Sequence, residues 1–161
     1  MAKQNETSST LILTQIPMQE LLIRKLHDYI RDNNPDLLLI LQEANRVTEF
    51  LSENVASVDE LINQLVSDNK PLSTIEELCM EELTKQIRPS RFNYLKALLE
   101  EEFSNEFERL EQAGILTTEL INMITVCDMV FDEMRFSTEN EDNRNLRYAI
   151  IGAMHEYLNK E

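Results

Sequence analysis

Tryptophan is absent from this chain of 161 residues, and glycine (2), proline (4) and cysteine (2) are scarce. So few glycines and prolines exclude the many turns of a β-sandwich or barrel and leave a few long elements. Cys79 and Cys127 each sit in an apolar helical pattern, without a CxxC or similar spacing. That excludes a disulfide framework or a thiolate metal site, and both read as small buried hydrophobes. Long apolar runs are missing as well. The longest, Leu37 to Leu41, is far below the roughly 20 residues of a membrane span. Residues 1–10 are polar, and Thr14, Gln15 and Pro17 break the next apolar stretch before any small-residue cleavage site. No signal peptide is read there, and the expectation is a cytoplasmic protein with no membrane segment.

Positive charge is also in short supply. Lys and Arg number 15 against 30 Asp and Glu, a formal charge of −15 and an isoelectric point near 4.5. Nucleic acid is bound mainly through clustered Lys and Arg that release counterions. This balance therefore disfavours nucleic acid and anionic membranes as partners, while serving solubility. A chain of this length buries roughly two thirds of its unfolded surface and needs no metal or disulfide to hold a core.

What is present is helical periodicity, and no segment alternates with period two. Residues 1–10 read as a flexible tail, followed by one all-α domain over 11–161. Pro17 is placed in the first turn of a helix carrying Leu22, Leu26, Tyr29 and Ile30 and ending near Asp32. Asn34 is expected to cap a second helix begun by Pro35 and Asp36, which buries Leu37, Leu41, Ala44, Val47 or Thr48, and Leu51, and runs to about Asn54. Ser57-Val58-Asp59-Glu60 and Ser73-Thr74-Ile75-Glu76 match the capping box and open two short helices. One carries Leu61, Ile62, Leu65 and Val66; the other carries Ile75, Leu78, Cys79, Leu83 and Ile87. They close at Lys70-Pro71 and Arg88-Pro89. Phe92, Leu95, Leu99, Phe103, Phe107 (or Glu106) and Leu110 predict one long helix from Ser90 to Gly114. Thr117 or Thr118 caps the next, with Leu120, Ile124, Cys127, Phe131 and Met134 on one face. After a polar loop from Ser137 to Asn145, a last helix carries Leu146, Ile150, Ala153 and Tyr157. The fold class is all-α: one multihelical domain of about six or seven helices, in two subclusters meeting near Pro89.

No constellation assembles a catalytic, cofactor or metal site. His27 and His155 lack the Glu-x-x-His spacing of di-iron bundles, since Arg24 and Gly152 stand three residues before them. His155-Glu156-Tyr157-Leu158-Asn159 has asparagine where a helical zinc motif needs its second histidine. Both histidines read as structural. Glu100, Glu101, Glu102, Glu106, Glu108 and Glu111 crowd a short stretch in which Arg109 is the only cation. One helix face cannot wrap an ion, so a solvated acidic face is the reading over a divalent-cation site. Glu139 to Asn143 lacks the glycine and terminal glutamate of a calcium loop. Lys85, Arg88, Arg91 and Lys96, interleaved with Phe92 and Tyr94, have the make-up of a nucleic-acid grip, but four cations in so acidic a chain read as ion-pair partners.

Asn34-Pro35-Asp36, Arg91-Phe92-Asn93-Tyr94, Glu101-Glu102-Phe103, Val130-Phe131 and the stretch from Tyr148 to Leu158 appear in an order that resembles a family of small acidic proteins. That family is domain of unknown function 1896, from Bacteroides and Porphyromonas relatives. The likeness covers roughly residues 20 to 158 and departs from the family pattern at Arg88-Pro89-Ser90-Arg91. It implies a helical bacterial cytoplasmic protein, often encoded near mobile elements, with no assigned activity and no functional residues to transfer. The functional expectation is a non-enzymatic protein-interaction module with an unidentified protein partner, compatible with homodimerisation. The alternative is an acidic nucleic-acid mimic occupying a DNA-binding protein, and a metal protein or enzyme ranks third. The acidic face 100–111 and the basic-aromatic segment 85–96 are the candidate surfaces.

Overall fold

A computed structural model describes the backbone of residues 2–160 and the side chains of residues 17–160. Among the described residues there are nine α-helices, a 3-10 turn and no strand. The chain divides into two compact units, Met1–Asp32 with Leu37–Gln86, and Asn33–Asp36 with Ile87–Glu161. The second division falls close to Pro89, where two subclusters were expected to part. Residues 2–10, expected as part of a tail, form the first part of a helix that runs over Ala2–Asn33.

In the first unit lie α1 (Ala2–Asn33), α2 (Pro35–Glu43), α3 (Val47–Ala56), α4 (Asp59–Ser67) and α5 (Leu72–Thr84), the first two reaching into the junction residues 33–36. Leu22, Leu26 and Ile30 recur every four residues and are fully buried, the stripe that one helix face must hide. Met18 continues that stripe upstream, and Pro17 lies inside α1 instead of in its first turn. Gln19 donates to Asp59 Oδ1 at 2.6 Å and Lys25 pairs with Glu76, so α1 is tied to α4 and α5.

The helix expected from Pro35 to Asn54 is two helices. Asn45 adopts φ 59°, the Arg46 amide donates to the Leu41 carbonyl at 2.8 Å, and the Asn45 amide donates to the Gln42 carbonyl at 3.1 Å. These paired bonds around a left-handed residue form the Schellman C-terminus, and asparagine is among the few side chains that tolerate its φ. Leu41 and Leu51 are both buried by this turn, while Ala44, expected in the core, is exposed. The same bond pair recurs at Asn69, Gly114 and Arg135, ending α4 and two helices of the second unit.

Neither capping box forms. Ser57 follows α3 and donates its hydroxyl to the Asn54 carbonyl at 2.5 Å, leaving Val58 as the N-cap of α4. Pro71, in extended backbone, is the N-cap of α5, so Ser73 falls inside the helix. The connections are too short to hold each serine one residue before its helix. Asn34 is not a cap of the expected kind either: its amide donates to the Ile87 carbonyl at 3.2 Å, and its buried Oδ1 accepts no hydrogen bond.

The second unit contains α6 (Arg91–Glu102), α7 (Ser104–Gln112), α8 (Leu116–Glu133) and α9 (Arg144–Asn159). The long helix expected from Ser90 to Gly114 breaks at Phe103, whose backbone leaves the helical region at φ −134°, ψ 50°. Phe103 and Phe107 both pack against the core, and the break places Glu106 in a first turn, where the helix dipole favours a carboxylate. Splitting this helix and the one at Asn45 raises the expected seven to nine. Thr117 and Thr118 do not cap α8, which starts earlier, with Ile115 as its N-cap. Leu95, Leu99, Leu110, Leu120, Met123, Cys127, Phe131, Leu146, Ile150 and Met154 are essentially inaccessible and form one core.

The junction residues are held within this unit. Ser90 accepts from the Asn93 amide at 3.0 Å, capping α6, and donates its hydroxyl to the Asn33 carbonyl. Asn93 Nδ2 reaches Asn33 Oδ1 at 2.9 Å. One serine thus satisfies both a helix start and a helix end, groups that would otherwise be orphaned.

Candidate functional site

The acidic run at residues 100–111 begins where α6 ends. Carboxylates there oppose the negative helix terminus, and the fold supplies a cation that the local sequence does not. Arg147 of α9 donates from Nη2 to Glu101 at 3.0 Å and to Glu102 at 2.7 Å. Hydrogen bonding to Glu102, then Glu101, raises the Arg147 pKa above the usual arginine value. Arg109 pairs with Glu106 at 2.7 Å. Two arginines therefore serve the run where the sequence showed only Arg109. Among the described residues no three His, Cys, Asp or Glu side chains converge as a metal site would require.

The basic-aromatic segment is divided between the two units. Lys85 belongs to the first unit, whereas Arg88, Arg91 and Lys96 belong to the second. Arg91 bridges Asp128 and Asp132 of α8, each at 2.7 Å, and lies over the Phe131 ring at 5.0 Å. Burial disfavours its charge, but the hydrogen bonds to Asp132 and Asp128 outweigh that and raise its pKa. Phe92 is buried. Tyr94 meets Phe131 and Phe136 edge-on at 5.6 and 5.1 Å, and its hydroxyl is buried. Burial raises the phenol's pKa. These rings and Arg91 pack together at the core's edge.

The remaining candidates make local contacts. His27 Nδ1 lies 3.9 Å from Asp28, and both His155 ring nitrogens are 3.1 Å from Asn159 Nδ2. Cys79 and Cys127 are fully buried, and burial pushes both thiols up to about 11. In the loop after α8, Asn140 Oδ1 accepts from the Ser137 amide at 2.8 Å, and its amide donates to the Met134 and Arg135 carbonyls at 2.8 and 3.1 Å. The loop's amide side chain thus closes the α8 C-terminus, and Glu139, Glu141 and Asp142 are exposed.

A surface that sequence reading missed lies on α8 and α9. Tyr157 donates to Glu119 at 2.5 Å, joining the two helices on one flank, while Arg91 and Arg147 bind α6 to their other flank. Val126, Met129 and Glu133 are spaced by three and four and share a face of α8. Val126 is 48% exposed and Met129 70%. On α9, Tyr148 is 62% exposed, and Ala149, Gly152 and Glu156 are exposed beside it. A Cβ on Gly152 would meet nothing within 4 Å, so packing within the chain does not demand glycine there, although it costs the helix about 1 kcal/mol relative to alanine. The sequence signal was apolar residues off the main stripe, which core-seeking periodicity discards.

Comparison with protein-family models, with curated protein sequences and with solved structures gave no match.

Proposed function

We propose that this chain is a non-enzymatic protein-interaction module acting in the cytoplasm. The observation that carries the reading is the set of large apolar side chains left at solvent on adjacent helices, Val126 and Met129 of α8 with Tyr148 of α9. Large apolar groups at solvent favour association where they gather. The chemistry-bearing groups have other tasks: the thiols are buried with raised pKa values, and Arg91 and Arg147 are held by paired carboxylates. Among the described residues no helix is long and apolar enough to cross a membrane. The nucleic-acid mimic is the weaker reading. Fourteen of the 30 acidic residues fall in the first unit and 16 in the second, with 7 and 8 of the 15 basic residues beside them. In the second unit Asp128, Asp132, Glu101 and Glu102 are paired with Arg91 and Arg147, which interrupts the continuous negative stripe that a duplex presents. Membership of the family of domain of unknown function 1896 is put forward on the ordered landmarks alone, and it adds no residue roles.

Affinity retrieval from a lysate of the source organism, at low and physiological salt, tests the reading. A protein retained in stoichiometric amount and displaced by excess untagged chain is expected. Retention of nothing at either salt contradicts the module, and a stoichiometric metal found by elemental analysis of chelator-free protein contradicts its ranking over a metal protein.

A further inference from the structure

We propose that Met129 is the site at which hydrogen peroxide modifies this chain, and, resting on the module reading, that the sulfoxide formed there weakens association without loss of the fold. Met129 is 70% exposed on α8. Its neighbours one turn away in each direction, Thr125, Val126, Asp132 and Glu133, are exposed as well, so a small oxidant reaches the thioether from both directions along the helix. The other described sulfurs are less accessible. Met18, Met123 and Met154 are buried. Met134 packs against the core of the second unit, and Met80 is half-buried, with Leu83 and Thr84 of the next turn buried. Cys79 and Cys127 are fully buried, and their thiols, pushed up to about 11, stay protonated at neutral pH, whereas the thiolate is the form that reacts with peroxide.

The step is a two-electron oxidation of sulfur. A thioether lone pair forms an S–O bond to one peroxide oxygen as the O–O bond breaks. The other oxygen leaves as hydroxide and takes the proton from the new S–OH group, so that sulfoxide and water are the products. A flexible apolar side chain thereby becomes a polar one, among exposed apolar groups whose burial against a partner is what favours association. At so exposed a position the fold has little packing to lose. A thiol-dependent reductase removes the oxygen again, two thiols becoming a disulfide and water, which makes the change reversible.

The test treats native full-length chain with hydrogen peroxide at neutral pH and follows each methionine by peptide mass mapping. Met129 should gain one oxygen at least about tenfold faster than Met18, Met80, Met123, Met134 or Met154, with an unchanged melting curve, and denaturant should level the rates. Oxidation of any of those five as fast as Met129, or a lowered melting temperature of the singly oxidised chain, would overturn the proposal. For the consequence, the singly oxidised chain, freed of peroxide, should retain less partner from lysate than untreated chain and regain it after a methionine sulfoxide reductase supplied with a dithiol. Met129→Leu, which stays apolar and takes up no oxygen, should retain the partner with or without peroxide treatment. Undiminished retention by oxidised wild type would overturn the weakening and leave the module reading standing. Retention of nothing by untreated chain would defeat the module reading and the weakening with it, while the mapping would still decide the site.

Discussion

Arg135 holds a backbone conformation, φ 53°, that side chains other than glycine and asparagine rarely adopt. It ends α8 in the bond pattern that Gly114 supplies after α7, with Phe136 and Phe131 in contact at 4.8 Å across the turn. Its side chain is exposed, so Arg135→Gly removes the steric cost and little else. Thermal melting of this variant should show a stability gain of about 1 kcal/mol; a loss would mean that the arginine side chain holds the turn. The two thiols give a second prediction. Burial raises both folded pKa values from 9.0 to about 11. The unfolded chain therefore releases these protons first, and the contribution of the neutral thiols is complete below pH 9 and lost as pH rises towards 11. Denaturant midpoints should fall between pH 9 and 11, more steeply in wild type than in a Cys79→Ala/Cys127→Ala variant. At pH 8 native protein should resist a thiol reagent that labels unfolded protein at both positions.

Helix ends decide how far the sequence could be read. Apolar stripes at intervals of three and four located α5, α8, α9 and the second half of α1 well, because burial of Leu22, Ile75, Cys127 and Ile150 follows from that spacing alone. The termini were less legible. A serine three residues before a glutamate is compatible with a capping box, but the hydroxyl of Ser57 finds the Asn54 carbonyl instead, a choice set by the length of the turn. Ser90, by contrast, caps α6 and donates to Asn33, 57 residues away, a partner outside any local window. Ser90→Ala should therefore destabilise by about 1–2 kcal/mol, and Ser57→Ala by a few tenths at most. Chemical denaturation of the two variants checks this ordering, and equal effects would contradict it. Breaks at Asn45 and Phe103 escaped reading for a related reason: an apolar stripe continues across a turn when both halves pack on the same core.

At the scale of the whole molecule, net charge was plain from composition, but its pairing was not. Arg91 reaches Asp128 and Asp132, and Arg147 reaches Glu101 and Glu102, across about 40 residues of sequence. Folding thus converts Arg91 of an apparently basic segment into a structural tie, and it leaves Val126, Met129 and Tyr148 at solvent. A net charge of −15 makes association with a basic partner salt-dependent. The measurement that bears most directly on the account is a paired retrieval from lysate with wild-type chain and Met129→Lys, matched for concentration and melting temperature. Wild type should retain a partner more strongly at low than at high salt, and Met129→Lys should lose it. Equal retention by both proteins would contradict association through Met129.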